Sequence, residues 1–239
     1  MTDRSGIINT LVRLVAVNPR RQLADRLCDA ARGVLGATGS WIAIQDGATR
    51  MELSATDERA RMLDGLQDVL GEGPCLTAYA GGQLTVTSVE DQPDERWPEF
   101  SRSAWQQVGP MTIQAVPMRP GGHGFGVLAA YFTSGRRPSQ SGETAQFVAN
   151  AIGAALLRDP RLTAGPDPPA KWPAQTELHQ ATGMVIAQLQ LEPDDALAIL
   201  RAHAYAHDTT LAEIAHRVVT RQLDFRPDPA AHPRGGPDA

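Results

Sequence analysis

Lysine is almost missing from this chain: of 22 basic residues among 239, only Lys171 is lysine. The rest are arginines, and with abundant Ala, Gly and Pro they point to a GC-rich coding genome rather than a functional demand. Cysteine is scarce too. Cys28 and Cys75 lie far apart, which excludes a disulfide framework, a Cys-x-x-Cys pair and a zinc site built on thiolates. Positive charge is not in excess, for the formal net charge is -5, so no global field draws the chain to nucleic acid. No apolar run approaches the roughly 18 residues of a membrane span. The N-terminus MTDRSGIINT lacks a signal-peptide apolar core, so a cytoplasmic location is expected. No nucleophile, base and acid stand in a catalytic arrangement, and an enzyme is not expected. Gly121-Gly122-His123-Gly124 lacks the Lys-Ser/Thr of a phosphate loop and reads as a hairpin turn.

What is present begins with 42% hydrophobic residues, enough for a core. The most informative stretch runs from Trp172 to Phe225 and reads as three short helices. Pro173 suits a first helical position, and Leu178, Ala181, Val185 and Leu189 follow at helical spacing. Pro193 opens the second helix, with Asp194 and Asp195 in the first turn, where the helix dipole favours negative charge. Thr210-Leu211-Ala212-Glu213 is a capping box for the third. Gly183 sits inside the first helix at a cost of about 1 kcal/mol relative to Ala. With Ala181 and Thr182 it makes a small-residue patch beside Met184, open to close approach. Arg201 and Tyr205, four apart on helix two, could bind and stack unpaired bases.

The segment LHQATGMVIAQLQLEPDDALAILRAHAYAHDTTLAEIAHRVV resembles the ANTAR domain, the RNA-binding module of transcription antitermination regulators. The Ala-x-Gly-Met of helix one, the Asp-Asp-Ala of helix two and the Leu-x-x-Ile-Ala-x-x-Val-Val of helix three carry the likeness. Thr182 stands where many members have Lys. The resemblance implies binding to paired RNA hairpins with six-base loops, in nascent transcripts, so that a terminator does not form. The candidate RNA face is Ala181, Thr182, Gly183, Met184, Arg201, Tyr205 and Thr210. A homodimer is expected, since two copies of one module most simply read two hairpins. Four of six histidines fall in this module and read as solvated surface residues.

Ahead of it, two helices (6–17 and 21–36) precede strands at Trp41–Ile44 and Met51–Leu53, joined through an Asp46-Gly47 turn. Thr56 is the expected cap of a helix to Leu70. LGEGPC, residues 70–75, predicts a tight turn into a short helix. Cys75 near that helix start would have a lowered thiol pKa, although a free cysteine is more commonly a buried small hydrophobe. QLTVTSV predicts a strand, DERWPEF opens a helix through about Gln107, and MTIQAVPM and FGVLAAYF are strands about a glycine-rich loop. Ser139 or Ser141 caps a last helix through Leu157. This α+β order, with LGEGPC, DERWPEF and a Gly-Val-Leu strand, resembles the GAF domain, a small-molecule sensor fold, of the kind that sits ahead of ANTAR modules. Members bind ligands as different as cyclic nucleotides, haem and chromophores, or nothing, and no cofactor is assigned here. A pocket is expected between the sheet and residues 70–80, lined in part by Trp41, Cys75, Met111 and Phe125.

The expected organisation is thus a GAF-like antiparallel sheet flanked by helices (1–158), a Pro-rich linker (159–172), a three-helix ANTAR bundle (173–226) and a disordered tail (227–239). Two functions follow from it. One is an RNA-binding regulator of transcription termination under control of the sensor. The other is a dimerising interaction adaptor whose bundle no longer binds RNA.

Overall fold

The computed structural model describes residues 4–46, 49–133, 135–163 and 173–226. The Asp46-Gly47 turn, most of the linker and the tail lie outside the described residues. The chain divides into two compact units, Met1–Pro173 and Ala174–Ala239.

The first unit runs α1 (Arg4–Ala16), α2 (Leu23–Leu35), β1 (Gly39–Asp46), β2 (Thr49–Ala55), α3 (Glu58–Leu70), α4 (Pro74–Gly81), β3 (Thr85–Val89), α5 (Pro98–Val108), β4 (Met111–Met118), a 3-10 turn (Pro120–Gly122), β5 (Gly126–Phe132), α6 (Gly142–Leu156) and a short α7 (Pro160–Thr163). Its five strands form one antiparallel sheet in the order β2-β1-β5-β4-β3. Helices cover both faces. α1, α2 and α6 build one core on Ile42, Val116, Met118, Leu128 and Phe132; α3, α4 and α5 build the other on Trp41, Ile113, Ala115, Val127 and Tyr131. β4 and β5 are therefore buried on both sides, and their residues alternate between two apolar cores. This is why they read as near-continuous apolar runs, whereas the edge strand β3 has exposed positions.

Helix starts differ from expectation where side chains compete for the cap. The Asp57 carboxylate accepts the Ala60 N–H at 2.9 Å and so caps α3. The neighbouring Thr56 hydroxyl accepts the Ser40 N–H instead, at 2.9 Å, and ties the cap to β1. Ser141, not Ser139, caps α6. The helix expected from Asp94 begins at Pro98, because Asp94 is folded back on Thr87 and Arg96.

LGEGPC is a structural clamp. Gly73 (φ 142°) closes against the Gln67 side chain, where a Cβ would collide at 2.5 Å. Gln67 accepts the Cys75 N–H at 2.8 Å and donates to the Leu63 carbonyl at 3.0 Å. Glu72 reaches across to accept the Phe100 N–H at 2.8 Å, capping α5, whose own N-cap Trp97 supplies no side-chain bond. The Trp97 indole N–H donates to Thr77 at 2.9 Å, locking α5 to α4. Glu72→Ala should cost about 1 kcal/mol, the usual loss for a missing cap. A circular-dichroism melt should fall by roughly 2–4 °C, and Glu72→Gln, which keeps an acceptor, should fall less.

The second unit holds α8 (Pro173–Leu189), α9 (Pro193–Ala206) and α10 (Leu211–Val219). Leu178, Ala181, Val185, Leu197, Leu200, Ala204, Ile214 and Val218 are buried. Thr210 caps α10 by accepting the Glu213 N–H at 3.1 Å.

Candidate nucleic-acid interface and sensor core

Gly183 lies exposed on α8, and a Cβ built there meets nothing within 4 Å. No helix of the bundle uses the gap. Ala181 does not share that surface: it is fully buried. Residues two apart point about 200° from each other round a helix, so Ala181 joins Leu178 and Val185 in the core while Gly183 faces out. Ala181 is removed from the accessible face for this reason. Thr182 is half-buried, and its hydroxyl donates to the Leu178 carbonyl at 2.8 Å, spending its donor within the helix. Met184 and Arg201 are half-buried and Tyr205 is 56% exposed. The Thr210 hydroxyl is engaged in its cap. The candidate face is thus exposed Gly183 with half-buried Met184 on α8, and half-buried Arg201 with exposed Tyr205 one turn apart on α9.

Of the four histidines of this module, His179, His207 and His216 are exposed, as expected of solvated surface residues, and His203 is half-buried. His216 lies 3.2 Å from Glu177, joining α10 to α8. His203 stacks on His207 at 4.1 Å and meets the edge of Phe225. Partial burial, with His207 and Arg217 beside it, holds His203 below its ordinary pKa.

In the first unit Trp41, Cys75 and Met111 do converge in the core under α3 to α5. They are 0%, 0% and 6% exposed. Phe125 does not join them, because it precedes β5 and packs into the opposite core with α2 and α6. Cys75 is also not an activated thiol. Burial outweighs the nearby Arg50 charge and pushes it up to about 12. Trp41 Nε1 is buried without a hydrogen-bond partner among the described residues.

One polar group in this core carries no signal in short-range spacing. Arg50 on β2, 5% exposed, pairs with Asp64, 1% exposed, and with Asp68 at 2.8 Å, both on α3. Burial, first, and Asp68 outweigh the Arg50 guanidinium and lift the Asp64 carboxyl to about 7. The available clue is that Asp64 and Gln67 interrupt the apolar face of α3 beside Ala60 and Leu63. Among the described residues no group of three or more His, Cys, Asp or Glu could hold a metal, and no helix is long and apolar enough to cross a membrane.

The family model of the GAF domain matches residues 18–157, and that of the ANTAR domain matches residues 174–219. The chain belongs to the GAF domain family and continues into an ANTAR domain. The order is that of GAF–ANTAR regulators, in which a sensor domain precedes the domain of RNA-binding antitermination regulators. Neither is a catalytic family. Among solved structures, the GAF domain of an Acinetobacter phosphoenolpyruvate-protein phosphotransferase is 12% identical, with 70% of this chain and 100% of that one covered, at a TM-score of 0.47. The nlh2 GAF domain of A. aeolicus in an inactive state is 16% identical over 63% of this chain and 92% of that one, at 0.42. A Coxiella burnetii ptsP GAF domain is 12% identical over 66% and 97%, at 0.45. No curated protein matches the chain.

Proposed function

We propose that the ANTAR domain binds tandem hairpins of nascent RNA, as a homodimer, and thereby controls transcription termination under a signal received by the GAF domain. The observation that supports this most is Gly183. Its glycine weakens α8 and fits no neighbour inside the bundle. An external surface that must approach the backbone closely accounts for it. Gly183→Ala should then raise the stability of the ANTAR domain by up to about 1 kcal/mol and weaken binding to a two-hairpin RNA. Melting and gel shift on the same full-length variant read both. A more stable variant with unchanged affinity would overturn the role of Gly183.

The second reading, an adaptor that has lost RNA binding, draws support from Thr182, whose hydroxyl is tied to its own helix. It predicts no shift of a hairpin RNA by wild-type protein at any micromolar concentration. For the sensor, we propose a signal received on the side of the sheet covered by α3 to α5. Trp41, Cys75 and Met111 are packed there, so a small ligand would have to displace side chains to enter.

A further inference from the structure

Every positive-φ residue described in the GAF domain is glycine, but in the ANTAR domain none is: Gln190, Asp208 and Arg221 adopt φ 55°, 48° and 60°. These three follow the ends of α8, α9 and α10. Arg221 closes α10 in a Schellman turn, with its N–H on the Val218 carbonyl at 3.0 Å and the Gln222 N–H on the Arg217 carbonyl at 2.8 Å. Glycine is the favoured residue at such a position, and an L side chain is disfavoured. An arginine kept there against the backbone preference points to use of its side chain.

That side chain lines a groove of about 300 Å³ with Met184, Ala187, Gln188 and Arg226. The wall is built rather than loose. The Phe225 N–H donates to Gln188 Oε1 at 3.0 Å, pinning the strap 221–226 across α8, and Phe225 meets His203 edge-on at 5.3 Å. Charge is gathered here. Residues 173–226 carry four arginines and seven acids, yet two of those arginines, Arg221 and Arg226, line the groove against one acid, Asp224. Asp224 is bound to Arg226, Nε to Oδ2 at 2.9 Å. Among the described residues Arg221 has no ion pair. The floor continues the surface already described, for Gly183 and Ala187 are both exposed and one turn apart on α8.

We propose that this groove is a second RNA subsite, taking one unpaired nucleotide with its base on Met184 and Ala187 and its phosphate on Arg221. An apolar floor suits a base face, and a guanidinium suits a phosphate. The subsite rests on the reading that the ANTAR domain binds RNA, and it explains how an acidic module could do so, by local rather than global charge.

The test is fluorescence anisotropy of full-length protein with a labelled two-hairpin RNA over a range of salt. Arg221→Gly should melt higher than wild type, because the turn is relieved, yet bind about tenfold more weakly, the loss expected for one charged hydrogen bond. It should lower the slope of log affinity against log salt by about 0.7–0.9, the mark of one phosphate contact removed. Arg221→Lys should keep the slope and most of the affinity. If Arg221→Gly keeps wild-type affinity and slope while Tyr205→Ala still weakens binding, the subsite is wrong and the RNA reading stands. If Arg221→Gly loses capture of an acidic peptide but not of RNA, the groove serves a protein and the proposal falls. If folded wild-type protein binds no hairpin RNA, both readings fall together.

Discussion

Asp64→Ala should melt the GAF domain well below wild type, by about 3 kcal/mol or on the order of 6–12 °C. The loss leaves Arg50, 5% exposed, with a buried charge that a guanidinium cannot shed. Asp68 stays 2.8 Å away and places the cost at the low end of the roughly 3–5 kcal/mol for breaking a buried pair. The reverse change behaves differently. In Arg50→Met the stranded Asp64 can take a proton, and its carboxyl, already lifted to about 7, rises further without the guanidinium. A carboxyl that holds its proton more tightly folded than unfolded, where its pKa is about 3.9, stabilises most below that value. That stability is lost as pH rises through the folded pKa. Arg50→Met should therefore recover in part at pH about 5 relative to 8, whereas Asp64→Ala should not. Arg50→Met with Asp64→Leu removes both charges and should cost far less than either single change, because Asp68, 24% exposed, can stay hydrated. Thermal melts at the two pH values decide it. Equal losses by both single variants at both pH values would remove the asymmetry argued here.

Tyr205→Ala should weaken binding of a two-hairpin RNA about 5- to 150-fold, which is the roughly 1–3 kcal/mol of one stacked base. The ring is 56% exposed, so its removal should leave the melt within about 0.5 kcal/mol of wild type. Tyr205→Phe keeps the stacking face and should keep most of the affinity. Stacking is separated from hydroxyl contacts by that pair of variants, in the same anisotropy titration. Wild-type affinity in Tyr205→Ala would remove α9 from the interface and leave α8 alone to carry it.

How far the chain could be read in advance depended on the range of each interaction. Helix ends were legible to within a few residues because caps are local, and the cap expected at Thr56 falls to Asp57, one residue on, because the Thr56 hydroxyl is already engaged by the Ser40 N–H of β1. The sheet and its helical layers followed from alternating and apolar runs, which is local information too. Ala181 was legible in principle, since Leu178, Ala181 and Val185 share one stripe and Gly183 cannot stand on it. Phe125 was not, because it falls outside β5, where the period of two no longer says which side a residue takes. Cys75 looked activated by its helix start, but a thiol 0% exposed is governed by burial. The Arg50, Asp64 and Asp68 group joins a strand to a helix and has no spacing that announces it.

The strand order has a consequence for how this protein is made. β1 pairs with β2 at once, but its other edge pairs with β5, Ser40 opposite Ala130, ninety residues later in the chain. At about 5–20 residues per second on the ribosome, the early hairpin waits on the order of 5–18 s for that partner. During the wait it carries an open backbone edge, and Trp41, which ends 0% exposed, has no completed core to enter. The span of the sheet, rather than the number of its strands, sets the interval in which a nascent chain is open to wrong pairings and to holding chaperones.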